Sequence, residues 1–291
     1  MTMTDGNDER RNDGTGTDTD ANAETASGAA DTRSLIRPDL ARGYVREILE
    51  RWEDPRTLFI DPAAGRGSFK DPLAEAGRTV RGVDTDPRAE GIRRSGFLEC
   101  EAIFRGIQTA TVVLGSPPFG RNAGTALRYF NHAADHGADA IAFIVPRSFR
   151  KRSLQRRLHP RYHLRVNENV PRNAFLRDGV AHDVPCAWQV WTRGDSDRVV
   201  EDPPSVGHLI EYVTPEKADF AVRRAGHGAG NVLTENLGDL STGTTYFLRE
   251  VRPGVREALA ETDWTDVIGQ TAGIRSLSEE ESAVRLGEIC G

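Results

Sequence analysis

The sequence predicts an α/β chain organised around a parallel sheet, and three apolar runs predict it. Thr57–Asp61, Thr79–Val83 and Thr111–Gly115 are short, rich in β-branched residues and bounded by turn residues, the pattern of strands buried on both faces. Each run ends in residues with chemical capacity. The first closes on Asp61 and turns through Gly65 and Gly67, the second closes on Asp84, and the third runs into Ser116-Pro117-Pro118-Phe119-Gly120. Parallel strands bring their carboxyl ends to one edge of a sheet, so these endings are expected to be neighbours.

Taken in order, the chain begins with an acidic stretch. Residues 1–33 hold six Asp and two Glu against three Arg, which gives about minus five of the net minus six and leaves the rest nearly neutral. Without apolar periodicity the stretch is expected to be disordered. No run is long or apolar enough for a membrane span or a signal peptide, so the expected compartment is cytoplasmic and no membrane partner is expected. Cys100, Cys186 and Cys290 are odd in number and widely separated, with no His or Cys at metal-ligand spacing, which argues against disulfides and against a bound metal.

From Pro38-Asp39 a helix is expected, with Leu40, Tyr44, Val45, Ile48, Leu49 and Trp52 on one face. The strand to Asp61 follows. Its Gly65 and Gly67 allow a ligand to approach the backbone, and Phe69 to Ala76 can form the next helix. A lone Gly-x-Gly marks an ordinary turn as readily as a cofactor site. Here the third glycine of a dinucleotide fingerprint is absent, and Asp61 would repel a pyrophosphate while favouring an ammonium group. Asp84, at the end of the next strand, is placed to hold ribose hydroxyls. Its alternative role is to cap a helix or turn opening at Asp86-Pro87, where Asp86 fits better.

The third ending is the most particular. Two prolines stop the strand, since neither can donate to a ladder, and leave a stiff ledge. The ledge offers the Ser116 hydroxyl, unpartnered carbonyls and the flat face of Phe119, which suit an amine on an aromatic ring. Taken alone, Pro-Pro after a strand is common in loops.

In combination these segments carry a family likeness. Asp61-Pro-Ala-Ala-Gly-Arg-Gly-Ser-Phe69, then Gly82-Val-Asp-Thr-Asp-Pro87, then Ser116-Pro-Pro-Phe119, in that order, resembles the S-adenosylmethionine-dependent amino-methyltransferases that act on nucleic-acid bases. The order of motifs is similar to that of the gamma group of adenine-N6 DNA methylases. The resemblance implies a Rossmann-like seven-stranded class I methyltransferase fold with S-adenosyl-L-methionine as cofactor. It implies that Asp61 meets the methionine ammonium, that Ala63, Gly65 and Gly67 pack against the cofactor, that Asp84 binds its ribose, and that Ser116, Pro117, Pro118 and Phe119 hold the target amine.

Two positions depart from the pattern. Ser116 stands where adenine methylases carry Asn or Asp, and Ser there is more typical of cytosine-N4 enzymes. Within Ser95–Glu99, where many relatives place an Asp that reaches the cofactor adenine, Phe97 is expected to line that pocket instead, with Glu99 as the substitute acid.

The remaining strands of such a sheet are expected at Ala140–Pro146, Tyr162–Val170 and Val184–Trp191, with a helix at Arg128–His136. Between Arg147 and Arg165 lie eight basic residues and no acid, among them Arg147, Arg150, Lys151, Arg152, Arg156 and Arg157. They are expected to form a positive surface beside the ledge that receives a nucleic-acid backbone, without separating DNA from RNA; it is the resemblance that puts DNA ahead of RNA. The alternative is a solvated basic helix.

The expected organisation is therefore an acidic tail (1–33), a methyltransferase domain (34–200) and a small C-terminal α+β appendage (201–291) that serves target recognition. In the appendage, strands are expected at His208–Val213, Phe220–Arg224 and Thr244–Arg249, and a helix at Pro253–Glu261. Ser278 with Glu281 makes a capping box for a last helix. Arg223, Arg224 and Tyr246 are recognition candidates, with packing as the competing role. The function expected is methyl transfer to an exocyclic amine, adenine N6 in DNA first. Cytosine N4, an RNA base and protein glutamine are the alternatives, and a catalytically silent S-adenosylmethionine- and nucleic-acid-binding protein is the alternative of another class.

Overall fold

A computed structural model of the protein describes residues 35–106, 108–269 and 275–290, which lie in one compact unit. The acidic stretch 1–33 lies outside the described residues.

The chain enters through a short strand, β1 (Leu35–Ile36), and helix α1 (Pro38–Arg51). Pro38 at the first helical position needs no N–H partner, and Asp39 and Arg51 match the two ends of the helix dipole. Ala41, Val45 and Ile48 are buried along the centre of its apolar face, and Leu40, Tyr44, Leu49 and Trp52 flank them.

The sheet then builds in alternation. Its elements are β2 (Leu58–Asp61), α2 (Lys70–Glu75), β3 (Thr79–Asp84), β4 (Ile92–Arg94), β5 (Thr111–Gly115), α3 (Gly124–Asp135), β6 (Ala140–Pro146), α4 (Arg152–Gln155) and β7 (Tyr162–Asn169). A hairpin, β8 (Phe175–Arg177) and β9 (Val180–His182), precedes the last strand of the sheet, β10 (Cys186–Arg193). The seven-stranded order is β4-β3-β2-β5-β6-β10-β7, parallel throughout except that β10 runs against both β6 and β7. This is the Rossmann-like α/β class that the sequence predicts.

Residues alternate between two cores on the faces of the sheet. Val113, Ile141, Phe143 and Trp191 pack under α3, while Val112, Leu114, Ile144 and Trp188 pack under α1. Every residue of β5 and β6 is buried, as strands covered on both sides require.

At two places the connections between strands take particular forms. A turn, not a helix, opens at Asp86-Pro87, and Asp84 accepts its first N–H. The Asp86 N–H donates to Asp84 Oδ1 (2.8 Å) and the Arg88 N–H to the Gly65 carbonyl (2.8 Å), so the backbone bonds run back to the strand end instead of along a helix. The other is the connection between β7 and β10, which forms a hairpin of its own. The β8–β9 hairpin turns at Asp178 (φ 51°) and Gly179 (φ 79°), the left-handed pair that a two-residue type I′ turn requires, and β8 pairs with β1 in a separate sheet.

After β10, Arg198 fastens the outgoing chain. Its guanidinium donates to the carbonyls of Gln155, Leu158, His159 and Tyr162 and lies 5.1 Å from the Trp191 ring centre. The C-terminal residues form an antiparallel sheet ordered β11-β14-β12-β13, from β11 (Ile210–Tyr212), β12 (Phe220–Arg223), β13 (Val232–Leu233) and β14 (Thr245–Glu250). Helices α5 (Val255–Glu261), α6 (Thr265–Ile268) and α7 (Glu279–Cys290) complete it. A core of its own includes Phe220, Leu248, Leu259 and Leu286. The capping box forms: the Ser278 N–H donates to Glu281 Oε2 (2.8 Å), and Ser278 Oγ accepts the Glu281 N–H (3.2 Å).

Candidate active site

Strand order alone gathers the three motif endings, because β3, β2 and β5 are consecutive neighbours in the sheet. Asp61 is 1% exposed, and its Oδ1 accepts the Ala63 N–H at 3.3 Å. Burial pushes its carboxyl up to about 7; the Ala63 N–H opposes that rise and the negative charge of Asp84 adds to it. It makes no ion pair among the described residues. A buried carboxylate of this kind is suited to an incoming cation.

Asp84, also buried, accepts the Gly65 N–H on Oδ2 (2.9 Å) and the Asp86 N–H on Oδ1 (2.8 Å). It thereby fixes the loop that carries Gly65 (φ 47°) and Gly67 (φ 84°), both in the left-handed region that only glycine enters cheaply. Ala63 is half-buried against the core under α3.

The ends of β2 and β5 lie close together. A Cβ added to Gly115 would stand 2.9 Å from Asp61 Oδ1 and 3.4 Å from Pro62 Cδ. The residue before Ser116 is thus packed directly against the Asp61 carboxylate, and no larger side chain fits there. On the ledge Ser116 is half-buried, Pro117 buried, Pro118 exposed and Phe119 half-buried. Ser116 Oγ makes no hydrogen bond among the described residues. The Phe119 carbonyl accepts the N–H groups of Thr125 (3.2 Å) and Ala126 (3.3 Å), satisfying two donors at the start of α3. Between them, Asn122 (φ 52°) and Ala123 (φ 61°) are held left-handed, at a cost of about 1–2 kcal/mol for a residue such as alanine.

Beside the ledge opens a cleft of about 840 Å³, lined by Phe119 and Asn122 on one side, Lys151 and Arg157 on another, and Ala225 and Ser276 across from them. Ala225 and Ser276 form a β-bridge, so the C-terminal sheet supplies that wall.

The basic run is only partly turned toward this cleft. Lys151 pairs with Glu281 (3.2 Å) and donates to the Ser276 carbonyl (3.3 Å). Arg156 pairs with Glu280 (2.6 Å) and Asp202 (3.4 Å) and donates to the Glu201 carbonyl (2.8 Å). Two of the six cations therefore meet acids, chiefly at the start of α7. Arg150 donates to Asn167 Oδ1 and Asn169 Oδ1, each at 2.9 Å, Arg147 and Arg152 are half-buried, and Arg157 is exposed.

Four residues take roles that sequence reasoning placed otherwise, left open or passed over. Phe97 is 1% exposed and packs against Phe104, Tyr129 and His132, so it belongs to the core and lines no open pocket. Tyr129 lies close enough to Asp84 to feel its charge; burial first, and then Asp84, push its phenol up to about 12. Phe175 meets the Phe119 ring edge to face, with centres 6.5 Å apart and planes at 83°. Tyr246 is a packing residue: its hydroxyl donates to the Leu277 carbonyl (3.2 Å) and Arg224 lies over its ring. Among the described residues, no group of three or more His, Cys, Asp or Glu is arranged for a metal, and no helix is long and apolar enough to cross a membrane.

No family model matches the chain, and no curated protein does. Among solved structures it is similar to a modification subunit, provisionally assigned to a type I restriction enzyme, from Vibrio vulnificus YJ016 (15% identity, 55% of this chain and 44% of that one, TM-score 0.39). It is also similar to a protein from Listeria monocytogenes, provisionally assigned as a class I S-adenosylmethionine-dependent methyltransferase (11%, 60% and 66%, 0.40). A third is the magnesium protoporphyrin IX methyltransferase of Synechocystis PCC 6803 with bound S-adenosylmethionine (13%, 54% and 79%, 0.39). The chain spans less than two thirds of the length of the first two.

Proposed function

We propose that the protein is an S-adenosyl-L-methionine-dependent methyltransferase acting on the exocyclic amine of a nucleic-acid base, adenine N6 in DNA first. The observation that carries the reading is the convergence of three strand ends: β3, β2 and β5 are consecutive neighbours, so Asp84, Asp61 and the start of the Ser116–Phe119 ledge lie at one edge of the sheet. A buried acid without a cation beside it, two left-handed glycines and Asp84 make a cradle suited to an ammonium, a close-lying backbone contact and a ribose. Ala63 completes it. The cofactor supplies an electrophilic methyl group.

The chain's own part is to prepare the nucleophile. An aromatic amine is weak because its lone pair is delocalised into the ring. Ser116 Oγ and the Pro117 carbonyl accept its hydrogens and draw them out of plane, which localises that pair toward the donor. Phe119 stacks on the base and Pro118 holds the turn rigid, so positioning supplies much of the rate. No basic side chain is required, since the proton leaves after the nitrogen has become cationic. A base inside a duplex cannot reach the ledge and must be extruded or single-stranded. Arg147, Arg150, Arg152 and Arg157 are the cations proposed to meet phosphates, and residues 201–291 are proposed as the target-recognition part.

A second reading, cytosine N4, rests on Ser116, whose hydroxyl lacks the paired donor and acceptor of an amide. Incubation with labelled cofactor and separate DNA, RNA and protein pools, followed by identification of the modified nucleoside, decides between them and exposes a silent binder. Ser116→Ala and Phe119→Ala are expected to lower transfer by about 10²-fold, the loss typical of one preorganised contact, with cofactor affinity nearly intact. Asp84→Ala is expected to weaken cofactor binding instead. Calorimetry that detects no S-adenosylmethionine binding to the full chain sinks the proposal.

A further inference from the structure

Phe119 has two environments. One part of its ring packs against the core under α1, and another lines the 840 Å³ cleft. The neighbour on the core side is Phe175, in the edge-to-face arrangement that aromatic pairs favour.

Phe175 is itself tightly held. It is 1% exposed, pairs in register with Ile36 of β1 and His182 of β9, and follows Ala174, whose carbonyl accepts the Arg37 N–H at 2.8 Å. Antiparallel neighbours such as β7 and β10 can be joined by a tight turn. Residues 170–185 instead leave the sheet, build the β8–β9 hairpin and return, and the result of that excursion is an aromatic ring placed behind Phe119.

We infer that Phe175 is a positioning residue for the proposed transfer, acting through Phe119 by fixing which way that ring faces the cleft. The inference rests on the reading of Ser116–Phe119 as the target-holding ledge. A purely space-filling Phe175 would affect stability alone. A positioning Phe175 affects turnover only while Phe119 is present.

The test is a double-mutant cycle on the full-length protein, with tritiated S-adenosylmethionine and mixed genomic DNA and total RNA as acceptors. Phe175→Leu is expected to lower kcat by about five- to tenfold, the worth of one aromatic pair, with cofactor affinity within about twofold of wild type. In the Phe119→Leu background the same substitution is expected to cost nothing further. Phe175→Tyr, which keeps the ring, is expected to restore most of the rate, and Phe175→Met replaces Phe175→Leu should the latter not fold.

A second readout does not depend on turnover. In fluorophenylalanine-labelled protein, the fluorine resonance identified as Phe119 by its loss in Phe119→Leu is expected to shift in Phe175→Leu. Additive losses in the cycle, or a Phe119 resonance that does not move, overturn the role of Phe175 while leaving the methyltransferase reading standing. A wild-type protein that methylates neither pool sinks that reading first, and the role of Phe175 with it.

Discussion

At the scale of single residues, Asp61 couples the cradle to pH. Its carboxyl ionises near 7 in the folded protein and near 3.8 when unfolded, so its favourable contribution is complete below pH 3.8 and is lost as pH rises toward 7. Asp61→Asn is therefore expected to raise the Tm of the ligand-free protein more at pH 8 than at pH 4, measured by calorimetry. An ammonium beside Asp61 favours the ionised form. Cofactor binding at pH 6.5 is then expected to release a proton, seen as a binding enthalpy that differs between buffers of different ionisation enthalpy, and at pH 8.5, where the free α-amino group is largely deprotonated and must take up a proton to bind as an ammonium, the sign of that difference is expected to reverse. Identical enthalpies at pH 6.5 would place the ammonium elsewhere. Asp61, Asp84 and Ser116 were legible in the sequence because each stops an apolar run, a signal carried by adjacent residues. Phe97 was not, because an aromatic residue in a loop gives no local sign of whether it faces a ligand or, as here, Tyr129 and His132.

Among elements, those defined by nearby residues were read correctly. The capping box of α7 needs only Ser278 and Glu281, three positions apart, and both halves of it form. Ser278→Ala is expected to cost about 1 kcal/mol in urea denaturation, the usual worth of an N-cap, without a change in cofactor affinity. The β8–β9 hairpin carried a local sign in Asp178-Gly179, but the strand that completes its sheet is the two-residue β1, too short for any alternation to be visible. Of the helix or turn weighed as the alternative role of Asp84, the turn forms, for a related reason. Its backbone donors find partners at Asp84 and Gly65, nearby in space across the strand end and invisible to a helical pattern.

For the whole molecule, charge pairing across the C-terminal part decides what the basic run can do. The sequence shows eight cations with no intervening acid, yet Glu280 and Glu281, which answer two of them, lie at the other end of the described chain. Neighbouring arginines consequently have separable roles. Arg157→Ala is expected to weaken binding of a short DNA duplex uniformly across sequences and to reduce the salt slope of that affinity by about one. Arg156→Ala is expected instead to lower the unfolding midpoint and loosen α7. Equal effects of the two substitutions on the salt slope would show that Arg156 reaches phosphate despite Glu280.

The direction of β10 sets one last condition. Because it opposes its neighbours, it begins at the edge of the sheet that holds the ledge and ends at the edge away from it, so the chain departs on the wrong side for the wall it must build at Ala225 and Ser276. The return journey is made by the connecting stretch up to β11, and Arg198 ties down its start. The far wall of the cleft is thus reached only through a tether and held in place by Lys151, which bonds the Ser276 carbonyl and Glu281, so that one lysine both lines the opening and fixes its far side.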